Sequence, residues 1–426
     1  MMRITTLVIK LIIIVNITFA IAKPTNIRCC HGSTIINSKL YIGGGIVGPA
    51  DKSNYSSDFF SLDLTVPFST SSPSDVPYEE HSNLLIKCSG HALVYAVNKG
   101  GGMIYLFSGF RGEPKGSAIY GYSLKLNAWS EVTPGGAIMP AESTTKVFGV
   151  TDSNLNTIYI LVNSTMYIYN AFENFLYIST NLPPYQIYYY ATVMLNTSEI
   201  AFIGGGNGTN RVNNNHNNIP MNQILLYNTK ISSWYIKNAK GTNGMIPSPR
   251  QGHSASIAPD GRIFVYGGFD GNGSAIESVG SHPVFTVLEY VNGEFVWSTP
   301  KLFGQLFQFR IYHTSHVFGN YLFIAFGRNL THSRLNTIDT IDISNRDNYI
   351  VVTDFVPPGY VPPISSSSSS SPPSPPSASN KNNKNITIAS VFGSVGALII
   401  VIGCAYFFIR RYRYQNVIPT PGNDRT

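Results

Sequence analysis

Four of the nine histidines, three of the four cysteines and a scatter of arginines and tyrosines are the side chains whose placement in this sequence bears on chemistry. His31, His91, His253 and His313 each open a short run of alternating apolar residues. A histidine recurring at one position of a repeated pattern reads as a buried hydrogen-bonder, not as a ligand to a shared metal ion. Cys30 directly precedes His31, with Cys29 before it, and Cys88 lies three residues before His91. The fourth cysteine, Cys404, sits in an uncharged apolar segment. No GxSxG elbow, HExxH pair, GxxxxGK[ST] loop or CxxC pair is present, so no signature of acyl transfer, zinc hydrolysis or nucleotide binding stands out. The glycine-rich stretch 267–275 leaves a strand for a loop without opening a helix, which excludes a phosphate cradle.

The elements that must hold these residues are strands. Residues 250–297 read as four short runs joined by turns, with Asp260-Gly261 and Asn292-Gly293 as hairpin turns. A four-stranded unit of this size cannot bury both faces alone, so it requires neighbours like itself. They are present. His253 to Gly267, His313 to Gly327 and Tyr190 to Gly204 each span fourteen residues. His31 to Gly43 is two shorter, and His91 to Gly109 is longer by a hairpin at 99–102. The weakest copy, at 144–170, has no glycine pair. Tyr227 to Trp234, Tyr122 to Trp129 and Tyr290 to Trp297 share a second spacing.

An early His, a hydrophobic run into Gly-Gly, then a Tyr and a spaced Trp resemble the kelch repeat, over roughly residues 27–355 in six copies. The resemblance implies an all-β fold, a kelch-type β-propeller of six blades, with seven as the alternative. Within it the glycines allow close approach of neighbouring backbones, while Tyr and Trp fill the wedges between blades.

In antiparallel four-stranded blades, the loop after the second strand and the link into the next blade emerge on one side. That side carries 45–58, 110–117, 207–220, 269–278 and 329–334. Arg111, Arg250, Arg310 and Arg328, with Tyr312, are therefore expected to ring one mouth of the central channel, and Arg211, Tyr188 and Tyr189 to lie nearby. Arginine with tyrosine suits an acidic peptide or a hydroxyl-rich glycan; the competing reading pairs these arginines with carboxylates and carbonyls between blades. Galactose oxidase and related copper radical oxidases share the kelch-type propeller, and that resemblance would imply copper held by two tyrosines and two histidines. No residue here matches their motif, and the propeller alone does not transfer the activity. No catalytic residue, metal or cofactor is expected.

The remaining segments speak of location. Residues 1–22 have a positive start, an apolar core and a small-x-small end, as in a secretory leader. Asn-x-Ser/Thr sequons stand at Asn54, Asn163, Asn196, Asn207, Asn272, Asn329 and Asn385. In an oxidising compartment a bridge from Cys29 or Cys30 to Cys88 would staple the first two blades. Residues 357–385 form a Ser/Pro-rich stalk, O-glycosylated or simply flexible. Residues 386–409 carry no charge, are long enough to span a bilayer, and are followed by Arg410, Arg411 and Arg413. Residues 410–426 would then be a short cytoplasmic tail. Ala389, Gly393 and Ala397 give a small-residue row suited to weak helix pairing into a homodimer.

The net charge of +7 comes partly from these end segments, and no basic run marks the body, which argues against nucleic acid. The expectation is a single-pass plasma-membrane or secretory-pathway protein. Its propeller would lie outside and bind a protein or carbohydrate ligand without catalysis. A copper radical oxidase and a stalked surface sensor are the other classes.

Overall fold

A computed structural model describes residues 27–361 apart from short segments at 50–51, 53, 112–115, 209–216, 271–280 and 305–308. The leader, the stalk from residue 362 onward, the apolar segment 386–409 and the tail lie outside the described residues, as do Arg211, Asn272 and Asn385. Among the described residues, no helix is long and apolar enough to cross a membrane.

Six four-stranded antiparallel sheets follow one another along the chain. Their first strands are Gly32–Ile36, Ala92–Asn98, Phe148–Thr151, Ala191–Met194, Ser254–Ile257 and Thr314–Phe318. Each first strand touches the next, and the sixth touches the first, so the six close into a ring around a channel. The expectation of six blades is met. Tight turns make this possible: Asn37-Ser38, Asn163-Ser164 and Asn292-Gly293 all adopt positive φ at both residues, the twist that suits two-residue hairpins.

The core is divided between the blade interfaces, with one apolar cluster in each of the six wedges. Between blades 4 and 5, Val193, Ala201 and Ile224 pack on Ile263, Leu288 and Trp297. Between blades 6 and 1, Phe323 and Ile338 pack on Leu40 and Phe60. A propeller core of this kind joins residues far apart in sequence and leaves each blade dependent on two neighbours. Outer edges are covered as well. Gly135–Gly136 and Lys301–Phe303 run parallel to the last strands of blades 3 and 6, and Ala239–Gly241 does so for blade 5. Asp354–Phe355 pairs with Phe68–Ser69 beyond blade 1 and ties the chain's exit from blade 6 to blade 1. Covered edges remove templates for unwanted strand pairing.

Candidate functional site

The histidines join blades. His31 Nε2 lies 2.8 Å from Thr314 Oγ1 of blade 6, and His313 Nε2 lies 2.8 Å from Ser254 Oγ of blade 5. His253 Nε2 meets the Ile203 carbonyl of blade 4 at 3.1 Å. Tyr190, standing in the histidine position, donates its hydroxyl to the Leu161 carbonyl of blade 3 at 3.4 Å. Burial holds all four imidazoles neutral. It drives His253 down to about 3, aided by Arg250, and His91 down to about 3, aided by Lys146 and Arg111. Each histidine sits in its own wedge, and among the described residues no cluster of His, Cys, Asp or Glu could hold a metal ion.

The glycine pair exists because of these histidines. A Cβ on Gly267 would approach His313 Cε1 of the next blade at 2.9 Å and the Arg310 carbonyl at 2.3 Å. A Cβ on Gly268 would meet His253 Cβ of its own blade at 2.9 Å, and its φ is +92°. The same contacts identify Gly44 and Gly45 as the pair of blade 1, so Gly43 is one residue early as its counterpart.

Three of the arginines expected at the mouth, Arg111, Arg250 and Arg310, lie inside the wall. Arg250 is 0% exposed and donates to the carbonyls of Gly267 (3.1 Å), Pro283 (2.9 Å) and Ser248 (3.2 Å). Arg310 donates to the Phe326 carbonyl at 2.8 Å and pairs with Asp339 at 2.6 Å. Arg28 does the same for Gly44 (2.8 Å) and Asp58 (2.9 Å). Arg28, Arg250 and Arg310 each stand three residues before a histidine and cap the carbonyl at the end of their blade's second strand. Arg111 is buried too, donating to the Ser117 carbonyl at 2.6 Å.

The mouth is drawn together by the residues just before the histidine position. Val147 N–H donates to Gly90 C=O, Gly90 to Cys30, Cys30 to Tyr312, Tyr312 to Gly252, and Gly252 to Tyr189, at 2.7–2.9 Å. These five bonds link all six blades. Cys30, Gly90, Tyr189, Gly252 and Tyr312 share a left-handed φ of 52–64°, so a common local conformation sets the ring.

Above this ring opens a cavity of about 260 Å³. Arg328 and Tyr312, both expected at the mouth, line it, together with Lys146, Arg334, Tyr55, Tyr189, Cys29 and Cys30. Arg328 lies 5.4 Å over the Tyr312 ring, and Arg334 donates to the Gly48 carbonyl at 2.6 Å. Lys146 is 6% exposed and lies 4.8 Å over the Phe148 ring. Among the described residues its amine has no hydrogen-bond or ion-pair partner. Desolvation lowers its affinity for a proton, against which Cys30 and Cys29 act. The weak third repeat explains part of this opening. Where other blades have a long connection after the second strand, Asn163-Ser164 turns straight from Thr157–Val162 into Thr165–Asn170.

The cysteines depart from expectation, for no bridge joins Cys29 or Cys30 to Cys88 and all three thiols are free. Cys88 Sγ points at His91 Nδ1, 3.3 Å away, whereas the Cys29 and Cys30 sulfurs face each other at 3.3 Å. Burial pushes the Cys88 thiol up to about 12. The hydrogen bond from Cys30 lowers Cys29, with Arg334 and Arg328 adding to it against burial. Of the sequons, Asn54, Asn163 and Asn196 are exposed, and Asn207 and Asn329 are half-buried. Asn329 Oδ1 is turned into its own loop, accepting from Thr331 Oγ1 at 2.8 Å.

Two family profiles match this chain: the Attractin/LZTR1 beta-propeller over residues 15–275, and the KLHDC2/KLHL20/DRC7 Kelch-repeats domain over residues 190–371. Among solved structures, that of YjhT superposes with a TM-score of 0.52 at 14% identity, covering 77% of this chain and 98% of its own. A fungal alcohol oxidase of the AA5 family in complex with copper superposes at 0.48 and 14% identity, covering 72% of this chain and 61% of its own. At such identity the likeness to YjhT bears on the fold alone. No curated protein matches the sequence.

Proposed function

The chain belongs to the Attractin/LZTR1 beta-propeller family, built of kelch repeats, and from that premise we propose that it is a non-catalytic binding module whose channel mouth receives an acidic group of a protein or carbohydrate ligand. The observation that carries this reading is Lys146. A lysine only 6% exposed is costly to desolvate, and this one lines a cavity shared with Arg328 and Arg334. An entering carboxylate or sulfate would give Lys146 an anionic acceptor in a low-dielectric site, where charge-assisted hydrogen bonds are strong. Tyr55, Tyr189 and Tyr312 supply aromatic faces and hydroxyls around it, a combination that suits both peptide and sugar.

In this reading the propeller stands outside a membrane. The leader-like residues 1–22, the sequons, the Ser/Pro stalk at 357–385 and the uncharged segment 386–409 support that placement. Protease protection and glycosidase shifts on the full chain in cells test it: an unglycosylated, protease-shielded propeller would contradict it.

Binding is tested on arrays of acidic and neutral peptides and glycans, using the full chain in detergent. The reading expects acidic members to be retained. Lys146→Met should weaken them about 10-fold or more, the loss of one charge-assisted bond of roughly 1.5–3 kcal/mol. Retention of neutral members only, or binding indifferent to both Lys146→Met and Arg334→Met, would contradict the reading.

A further inference from the structure

Adjacent cysteines line the cationic cavity at the channel mouth. Cys29 and Cys30 contribute no disulfide, and both residues line the cavity. Their sulfurs stand 3.3 Å apart, and because consecutive Cα atoms are held about 3.8 Å apart, below the usual disulfide span, a bond between them would be strained and readily reduced. We propose that Cys29 and Cys30 form a peroxide-reactive dithiol, with Cys29 as the attacking thiolate and Cys30 as the resolving thiol.

Three observations assign the roles. Cys30 donates its S–H to the Cys29 sulfur, which leaves Cys29 as the sulfur stabilised as an anion. Arg334 and Arg328 add positive charge on the same side, and their effect on Cys29 runs in that direction. Cations beside a thiolate are what distinguish reactive cysteines from inert buried ones. Cys88 provides the contrast within the same chain: it is 0% exposed, points at His91 and lines no part of this cavity. The cavity, about 260 Å³, has room for a molecule the size of hydrogen peroxide.

The chemistry balances in two steps. The Cys29 thiolate attacks one oxygen of hydrogen peroxide, the O–O bond breaks, and the departing hydroxide is protonated by solvent to water, leaving Cys29 as a sulfenic acid. Cys30 sulfur then attacks Cys29 sulfur. The S–O bond breaks, and the hydroxide leaves as water with the Cys30 proton. Overall, two thiols and one peroxide give one disulfide and two waters, with the sulfurs oxidised and the peroxide reduced. Because the Cys30 N–H and C=O are both links of the ring of backbone bonds at the mouth, closure of the pair acts directly on the mouth's shape.

The test uses the reduced full chain, substoichiometric hydrogen peroxide, and alkylation followed by peptide mass analysis. The peptide carrying Cys29 and Cys30 should lose both alkylation sites together and two hydrogens in mass, reversibly with dithiothreitol. Before oxidation the pair should alkylate at least about 10-fold faster than Cys88. Cys30→Ser should trap the sulfenic acid on Cys29, captured by dimedone, and Cys29→Ser should show no capture. Equal reaction of Cys88 and the pair, or a wild-type pair that stays reduced while free cysteine is consumed, would overturn the proposal. The wild-type readout stands alone if either variant fails to fold, and thermal melts identify that case.

Discussion

Replacing Arg250 by methionine separates an arginine that builds the wall from one that faces a ligand. Methionine keeps much of the apolar stem but removes every donor. Three carbonyls, those of Ser248, Gly267 and Pro283, then lose charged partners at 2.9–3.2 Å around a residue that is 0% exposed. Each buried acceptor left unpaired costs about 1–3 kcal/mol, and partial relaxation brings the expected sum to roughly 3–5 kcal/mol. At about 2.1 cal/mol/K per residue, a folded unit of roughly 330 residues has an unfolding entropy near 0.7 kcal/mol/K. The melting temperature should therefore fall by about 4–7 °C. Differential scanning calorimetry of the full chain measures it, with Arg346→Met as the control. Arg346 is 54% exposed and pairs with Glu289 and Asp260, so its loss should shift the melt by no more than about 1–2 °C. If Arg250→Met melts within about 1 °C of wild type, the placement of Arg250 as a wall residue is wrong.

Other consequences follow from the same packing. Trp297→Ala removes a fully buried ring from the wedge between blades 4 and 5 and the Nε1 bond to the Met221 carbonyl at 2.7 Å; denaturant titration should show a loss of about 3–5 kcal/mol. The neutral, buried histidines make stability acid-sensitive. The unfolded chain takes up protons near pH 6.5 while native His91 and His253 resist until about 3, so melting temperature should fall steadily from pH 6.5 toward 3. A flat profile over that window would contradict their burial. Lys146, with its proton affinity lowered by burial, acts in the same direction at higher pH: the wild type should gain stability relative to Lys146→Met as pH rises toward 10.5, measured by paired melts.

Much of the propeller was legible because its repeats are local. The alternating runs, the Asn-Gly turn at 292–293 and the recurring histidine each encode one blade's own hairpins. Register between repeats was less visible. The Tyr-to-Trp spacing is shared by three blades, yet Tyr122 faces Trp129 and Tyr227 faces Trp234 while Tyr290 faces Phe295. The two-residue turn at Asn292-Gly293 slides the third copy, so an equal count hides a different pairing. The arginines were grouped by nearness to the mouth, although a better signal was available: Arg28, Arg250 and Arg310 each stand three residues before a histidine. A residue locked to the repeat serves the repeat. Arg328 and Tyr312 do line the cavity. Lys146, Arg334 and Tyr55 escaped notice because blade 3 lacks the motif and because the cavity gathers residues distant in the chain. No linear pattern announces such a meeting.

The most direct test of the mouth as a binding site is the salt dependence of affinity for an acidic member retained on the peptide or glycan arrays, measured by calorimetry for wild type and Lys146→Met. The account predicts binding that weakens steeply as salt rises, at least about 10-fold weaker in the variant, with a shallower salt slope. Affinity insensitive to salt and unchanged by Lys146→Met would place recognition elsewhere on the propeller.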